Sequence, residues 1–153
     1  MKHSAKIQLS SSARLINIAA RMFSDQLQNL LKHEDIELTI EQWRLLFYLW
    51  IEDDINQQEL ARRAKKEKST ITRIVNSLEH KGFIKRENRV NDRRNKNIKL
   101  TEKGRFLEPV TIAIADQVVK NAEAGIEAKD LKVFSSVLTK LISNLDQKFD
   151  SMI

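Results

Sequence analysis

The chain has no cysteine. That excludes disulfides, thiolate metal sites and thiol redox sensing. It holds one proline and three glycines in 153 residues, so sharp turns are few and helix should dominate. No apolar run approaches the roughly 18 residues that a membrane-spanning helix needs, and no membrane role is expected. Met1-Lys2-His3-Ser4 leads into no apolar signal core, which argues against export and for a cytoplasmic protein. The histidines, His3, His33 and His80, lie far apart in no ligand spacing. No nucleophile elbow, phosphate-cradling glycine loop or zinc pattern occurs. No metal, no cofactor and no enzymatic activity are therefore expected. What remains is an ordinary globular composition, 41% hydrophobic and 31% charged, long enough for one domain or a compact two-part unit.

Charge of one sign is concentrated. Residues 62–99 carry 14 Lys and Arg against four acids, while the rest of the chain has 13 basic and 17 acidic residues. A basic third on an acidic chain is a footprint for a polyanion; the plainer alternative is a solvated basic surface. Within it lies FIKRENRVNDRRNKNIKLTEKG, residues 83–104. Two alternating stretches, Phe83 to Arg89 and Lys96 to Leu100, flank the polar tip Val90 to Asn95 and predict a β-hairpin. A cationic hairpin behind a short helix pair has the form of a wing on a helix-turn-helix, which suits duplex DNA.

The helices read as follows. Residues 7–33 carry a heptad-like stripe of Leu9, Ala13, Ile16, Ala20, Phe23, Leu27 and Leu30. A second helix follows the cap Thr39 and runs to about Glu52, with Ile40, Trp43, Phe47 and Trp50 in its stripe. Asn56 with Glu59 is a capping-box-like start for a short helix to about Ala64. The next helix, about Glu67 to Lys81, buries Ile71, Ile74, Val75 and Leu78. Its other face offers Lys68, Ser69, Thr70, Thr72, Arg73 and Asn76, short polar and cationic groups suited to bases and phosphates. Arg73 could take a guanine edge or a phosphate, and Ser69 and Thr70 could be helix-start residues only. A helix opens at Thr101, and Pro109 inside it should bend it or mark an uneven start. The last helix, 127–149, has Leu131, Phe134, Leu138, Leu141 and Leu145 in step. His80, near a helix end, reads as a solvated cap.

The fold class is mainly α with a small β-hairpin wing. A winged helix-turn-helix fits in residues 39–104. The stripes on 7–34 and 105–150 exceed what it needs; packing against a second copy would bury them and set two reading helices on two half-sites. The alternative is that these helices fold back on their own chain.

Asp92-Arg93-Arg94, then Leu100-Thr101-Glu102-Lys103-Gly104, resemble the MarR family of transcription regulators, whose members show an Asp-x-Arg wing tip followed by Leu-Thr-x-x-Gly. Gln58-Glu59-Leu60-Ala61, Ser69 to Val75 and Leu78 to Arg86 resemble the family's helix-turn-helix and its approach to the wing, and the order of elements matches over essentially the whole chain. Lys65-Lys66 departs from the usual small residue at the turn, so an altered local turn is expected there. The resemblance implies Arg94 as the groove-inserting residue, with Arg93 and Lys96 on phosphates and Arg89 beside them. The physics agrees: an arginine at a hairpin tip suits the negative potential of the minor groove. Asp92 can aim it by a charge-assisted bond or serve as an Asx turn residue.

The resemblance further implies a homodimeric, ligand-controlled repressor of a pseudo-palindromic operator in double-stranded DNA. Its effector would be a small aromatic or phenolic acid held between the dimerisation helices and the DNA-binding lobe. Phe23, Trp43, Arg44, Phe47 and Trp50 are candidate pocket walls, though any single aromatic reads first as ordinary core. Without cysteine, the family's peroxide-sensing branch is disfavoured. A second reading keeps the fold and changes the partner: a protein-interaction module whose basic face docks an acidic protein, needing neither a two-fold dimer nor affinity for duplex DNA.

Overall fold

A computed structural model describes the backbone of residues 11–89 and 92–150 and the side chains of 12–88 and 96–145. Its elements run α1 (Ser11–His33), α2 (Ile40–Ile51), β1 (Ile55–Asn56), α3 (Gln57–Ala64), α4 (Lys68–His80), β2 (Ile84–Arg89), β3 (Asp92–Leu100), α5 (Glu102–Glu123) and α6 (Ala128–Asp150). The chain divides after Val118 into two units.

Local chemistry sets the helix starts. Thr39 and Gln42 form a reciprocal capping box: the Gln42 amide donates to Thr39 Oγ1 (3.2 Å) and the Thr39 amide to Gln42 Oε1 (3.1 Å). Such a cap contributes about 1 kcal/mol. Gln42 is buried, and its Nε2 also donates to Ser77 Oγ at 2.8 Å. The start of α2 is thereby tied to the end of α4. At α3 the Asn56 side chain accepts from the Glu59 amide (2.8 Å), while the Glu59 carboxylate receives Arg62 and Arg63. The expected turn departure sits at Lys65, which caps α3 in the left-handed region (φ 48°, ψ 47°). A side chain with a Cβ adopts that conformation at a cost of roughly 1 kcal/mol.

The core of the first unit gathers Leu27 and Leu31 from α1, Leu45, Leu46 and Leu49 from α2, and Leu60 from α3. Ile71, Ile74, Val75 and Leu78 come from α4, Ile84, Ile98 and Leu100 from the strands, and Ile114 and Val118 from α5. The stripe expected along α1 is split. Leu27 is buried and Leu30 half-buried, whereas Ile16 and Phe23 are exposed. Residues 7–10 lie outside the described residues.

The wing differs from the expected simple hairpin in two ways. A third strand, β1, pairs with β3 through Ile55↔Ile98 and Asn56↔Asn97, giving the antiparallel order β1-β3-β2. Asn97 explains the attachment: buried, it donates from Nδ2 to Asp54 O (2.9 Å) and Asp54 Oδ1 (2.8 Å). Two residues are too short for an alternating pattern to be read. Secondly, Asp92 to Asn95 belong to strand and not to the tip. The ladder runs out to Arg89↔Asp92, with an irregularity between Asn88 and Arg89. Extra residues on one strand of a ladder are absorbed as a bulge.

The Leu100 to Gly104 motif has a structural explanation. Thr101 donates from its amide to Phe83 O (3.0 Å) and from its hydroxyl to Gly82 O (2.6 Å). It also accepts from the Gly104 amide (3.1 Å), capping α5. A Cβ at Gly104 would lie 2.1 Å from the Phe83 carbonyl oxygen, so only glycine permits this approach. The Gly104 carbonyl accepts from Trp50 Nε1 at 3.0 Å. Pro109 neither ends α5 nor marks its start; the helix continues through it to Glu123. The second unit holds the end of α5 and α6, where Val133, Phe134, Val137, Leu141, Ile142 and Leu145 are exposed. No helix among the described residues is long and apolar enough to cross a membrane.

Candidate nucleic-acid interface

The first turns of α4 and its outer edge present the six polar residues singled out in the sequence. Lys68, Ser69, Arg73 and Asn76 are exposed, and Thr70 and Thr72 are half-buried. The buried face beneath them is Ile71, Ile74, Val75 and Leu78.

Three of the six are already engaged. The Thr72 hydroxyl donates to Lys68 O (2.9 Å) and accepts from Gln57 Nε2 (2.7 Å). Its proton is committed within the protein. Arg73 lies 3.4 Å from Glu41 Oε2, and Lys66 Nζ donates to Glu41 Oε1 at 2.9 Å. The hydrogen bond from Lys66, against a smaller desolvation effect, holds the Glu41 carboxyl below the usual carboxylate range. Asn76 accepts on Oδ1 from an Arg86 guanidinium nitrogen at 2.6 Å. Arg86 is itself held by the Glu79 carboxylate, which also accepts from the Arg86 amide (3.1 Å).

The wing strands carry cations that are paired. Glu87 receives Lys85 and Lys99, and the first of these is the main reason its carboxyl falls to about 2. Lys99 also meets Asp54 at 3.3 Å. Arg63 bridges Glu52 and Glu59. The basic segment is thus partly neutralised by acids, four of which, Glu41, Glu52, Asp54 and Glu59, lie outside residues 62–99. The plain charge count therefore overstates its field. Lys68 and Lys96 face solvent. The side chains of Arg89, Asp92, Arg93 and Arg94 lie outside the described residues, so the expected bracing of Arg94 by Asp92 does too.

Sequence reasoning missed Glu41, Gln57, Glu79 and Arg86 as parts of this edge. Gln57 and Glu41 lie 15 and 32 residues from their partners on α4, and no periodicity links such pairs. Arg86 carried a signal only as a basic residue just after the helix.

The candidate pocket residues divide. Trp43 and Phe47 rings lie 5.6 Å apart, and Trp43 and Trp50 meet edge-on at 6.5 Å. Trp50 is tied to Gly104, and Arg44 donates to Ser24 Oγ on α1 at 2.7 Å. Trp43 Nε1 is buried without a hydrogen-bond partner. Phe23 and Phe47 are exposed. A surface cavity of about 610 Å³ lies elsewhere, lined by Gln28, Lys32, residues 35–39 and Lys81. Among the described residues, no group of His, Cys, Asp and Glu could hold a metal ion.

Comparison with known proteins fits this geometry. Residues 38–96 match the model of the MarR family. The chain is 35% identical over 115 residues to the HTH-type transcriptional regulator SarZ of Staphylococcus haemolyticus, covering 75% of each protein. A MarR transcriptional regulator from Methanosarcina mazei superposes with a TM-score of 0.80 at 25% identity, over 89% of this chain and 96% of that one. MepR of S. aureus, solved as a DNA complex, shares the fold with a TM-score of 0.80 at 24% identity, over 88% and 98% of the two chains. With the helix pair, the three-stranded wing and a relative of that identity over three quarters of its length, this chain belongs to the MarR family of winged-helix transcription regulators, which are not enzymes.

Proposed function

We propose that the chain is a cytoplasmic homodimeric repressor that binds a pseudo-palindromic operator and releases it when a small aromatic or phenolic acid binds. In this reading residues 39–104 are the DNA-binding domain, and 7–34 with 105–150 form the dimer. The observation that carries it is the outer edge of α4, where short polar and cationic side chains stand over a fully apolar inner face. Such an edge suits the major groove. Lys68, Ser69, Thr70, Thr72, Arg73 and Asn76 would face it. The wing would follow the minor groove, with Arg94 inserted, Asp92 aiming it, and Arg89, Arg93 and Lys96 near phosphates.

The dimer is supported by exposed apolar side chains that a lone soluble chain would leave wet: Leu15, Ile18 and Met22 on α1, and Val133, Phe134, Ile142 and Leu145 on α6. An exposed apolar stripe of that kind on either helix suits an interface. A two-fold axis would hold two α4 helices roughly 34 Å apart, one turn of DNA. The effector reading draws on Phe23, Trp43, Arg44, Phe47 and Trp50. Arg44 would pair an acid group, and the unpartnered Trp43 Nε1 offers a donor. The ligand must bind the non-DNA spacing more tightly than the DNA-competent one.

The test is a shift assay on the promoter region of the chain's own gene across a salt series, with Arg94→Ala alongside. The variant should bind roughly tenfold more weakly, and its slope of log affinity on log salt should fall by about 1. Unchanged affinity and slope would mean the wing assignment is wrong. A monomer that ignores duplex DNA at low salt would favour an acidic protein partner.

A further inference from the structure

Resting on the DNA-binding reading above, the geometry assigns Arg86 as a specificity-determining positioning residue: it fixes Asn76 of α4 as a hydrogen-bond donor toward DNA. The two ends of an asparagine amide look alike, so their orientation must come from the partners. Here the partner decides. A guanidinium only donates, so the atom 2.6 Å from the Arg86 nitrogen must be the Asn76 oxygen. The nitrogen, Nδ2, is left on the exposed side with two protons to give.

Arg86 cannot easily let go. Its other nitrogen and its own backbone amide are both bound to the Glu79 carboxylate, and its side chain is only 19% exposed. Glu79 sits on α4, three residues beyond Asn76, so one strand of the wing grips the recognition helix at two points. One lone pair of the Asn76 oxygen is taken before any DNA arrives.

The consequence concerns which bases α4 can read. An asparagine that reads adenine needs both ends of its amide, accepting from N6 and donating to N7. The Asn76 oxygen already holds Arg86 and keeps one lone pair, in a direction set by that bond, whereas the donating end is wholly free. Asn76 is therefore suited to groups that accept: the O6 or N7 of guanine, the O4 of thymine, or a phosphate oxygen.

The experiment is selection of duplexes from a randomised pool by the full-length wild-type chain and by Asn76→Asp, with a melting curve to show that both fold. Aspartate keeps an oxygen for Arg86 and removes the donor. The wild type should carry guanine or thymine in the column that the substitution alters. Asn76→Asp should bind the wild-type site roughly tenfold or more weakly and shift that column toward cytosine or adenine, whose amino groups donate. A uniform loss over all sequences supports a donor to phosphate if the uncharged Asn76→Ala shows it too, and overturns the inference if Asn76→Asp alone shows it, since the added charge repels phosphate by itself. Arg86→Met, which frees the amide, should add adenine to the same column. Adenine there in the wild type, or undiminished binding by Asn76→Asp, overturns the inference alone. A wild-type chain that enriches no duplex overturns the DNA-binding reading and this inference with it.

Discussion

Helices α4 and α6 carry apolar stripes of the same helical spacing and meet opposite fates. On α4, Ile71, Val75 and Leu78 are fully buried. On α6, Phe134, Leu141 and Leu145 stay exposed, at 56%, 40% and 67%. The pattern says which side chains avoid water; it does not say what removes them from it. For α4 the answer lies within the first unit, in the core built with α2, α3 and the sheet. For α6 we propose that a second chain supplies it. Their ion pairs differ in the same sense. Around α3, α4 and the wing, acids and bases pair across elements, as in Glu41 with Lys66 and Arg73, or Glu87 with Lys99. The one pair seen near the start of α6, Lys129 with Glu127, joins close neighbours in sequence.

Three experiments press on this contrast. The largest effect is expected at Leu78, where truncation to alanine removes a fully buried side chain. Leu78→Ala should destabilise the fold by about 2–5 kcal/mol, read from the fall in denaturant midpoint against the wild type at the same protein concentration. A cost below 1 kcal/mol, on the same scale, would mean that α4 is less firmly seated than its burial indicates. Next comes Phe134→Asp. In sedimentation the wild type should be a dimer and the variant a monomer with helix content retained, and only the wild type should melt at a concentration-dependent temperature. Equal sedimentation of the two would break the contrast, since α6 would then need no partner.

The smallest effect concerns acid. Glu59 and Glu87 each have carboxyls lowered from 4.5 to about 2, chiefly by Arg62 and Lys85 respectively. A depressed folded value adds stability above the unfolded value, which is lost as pH falls toward the folded one. The melting temperature should therefore drop as pH goes from 4.5 to about 2. Glu59→Gln with Glu87→Gln should melt lower at neutral pH and respond less in that window. Identical acid slopes would show that these pairs do not carry the response. Both groups are half-exposed, so the shift should also shrink with added salt.

Much of this architecture was legible from local chemistry. Thr39 and Asn56 mark helix starts because their side chains cap the next amides, and the stripe of α4 marks its buried face directly. Lys65 was legible as an irregular turn. What escaped depends on distance along the chain. β1 is two residues long and exists because Asn97 and Asp54 meet across 43 positions. Glu41 and Arg86, which hold Arg73 and Asn76, look in the sequence like ordinary surface charges. The wing was read as strand, tip and strand; its ladder in fact extends to Arg89 and Asp92, since pairing continues past the irregularity. The Leu-Thr-x-x-Gly motif, met as a family signature, proves to be a joint: every contact described for Thr101 and Gly104 is internal.

That joint has a mechanical meaning. The amide and hydroxyl of Thr101 and the bare α-carbon of Gly104 clasp the Gly82–Phe83 turn, which is where α4 ends and β2 begins. Trp50 fastens α2 to the same place. The first turn of α5 thus works as a crank welded to the base of the wing and the exit of α4. Displacing that turn would mean carrying the base of the wing and the exit of α4 with it, or breaking the bonds that Thr101 and Trp50 make there.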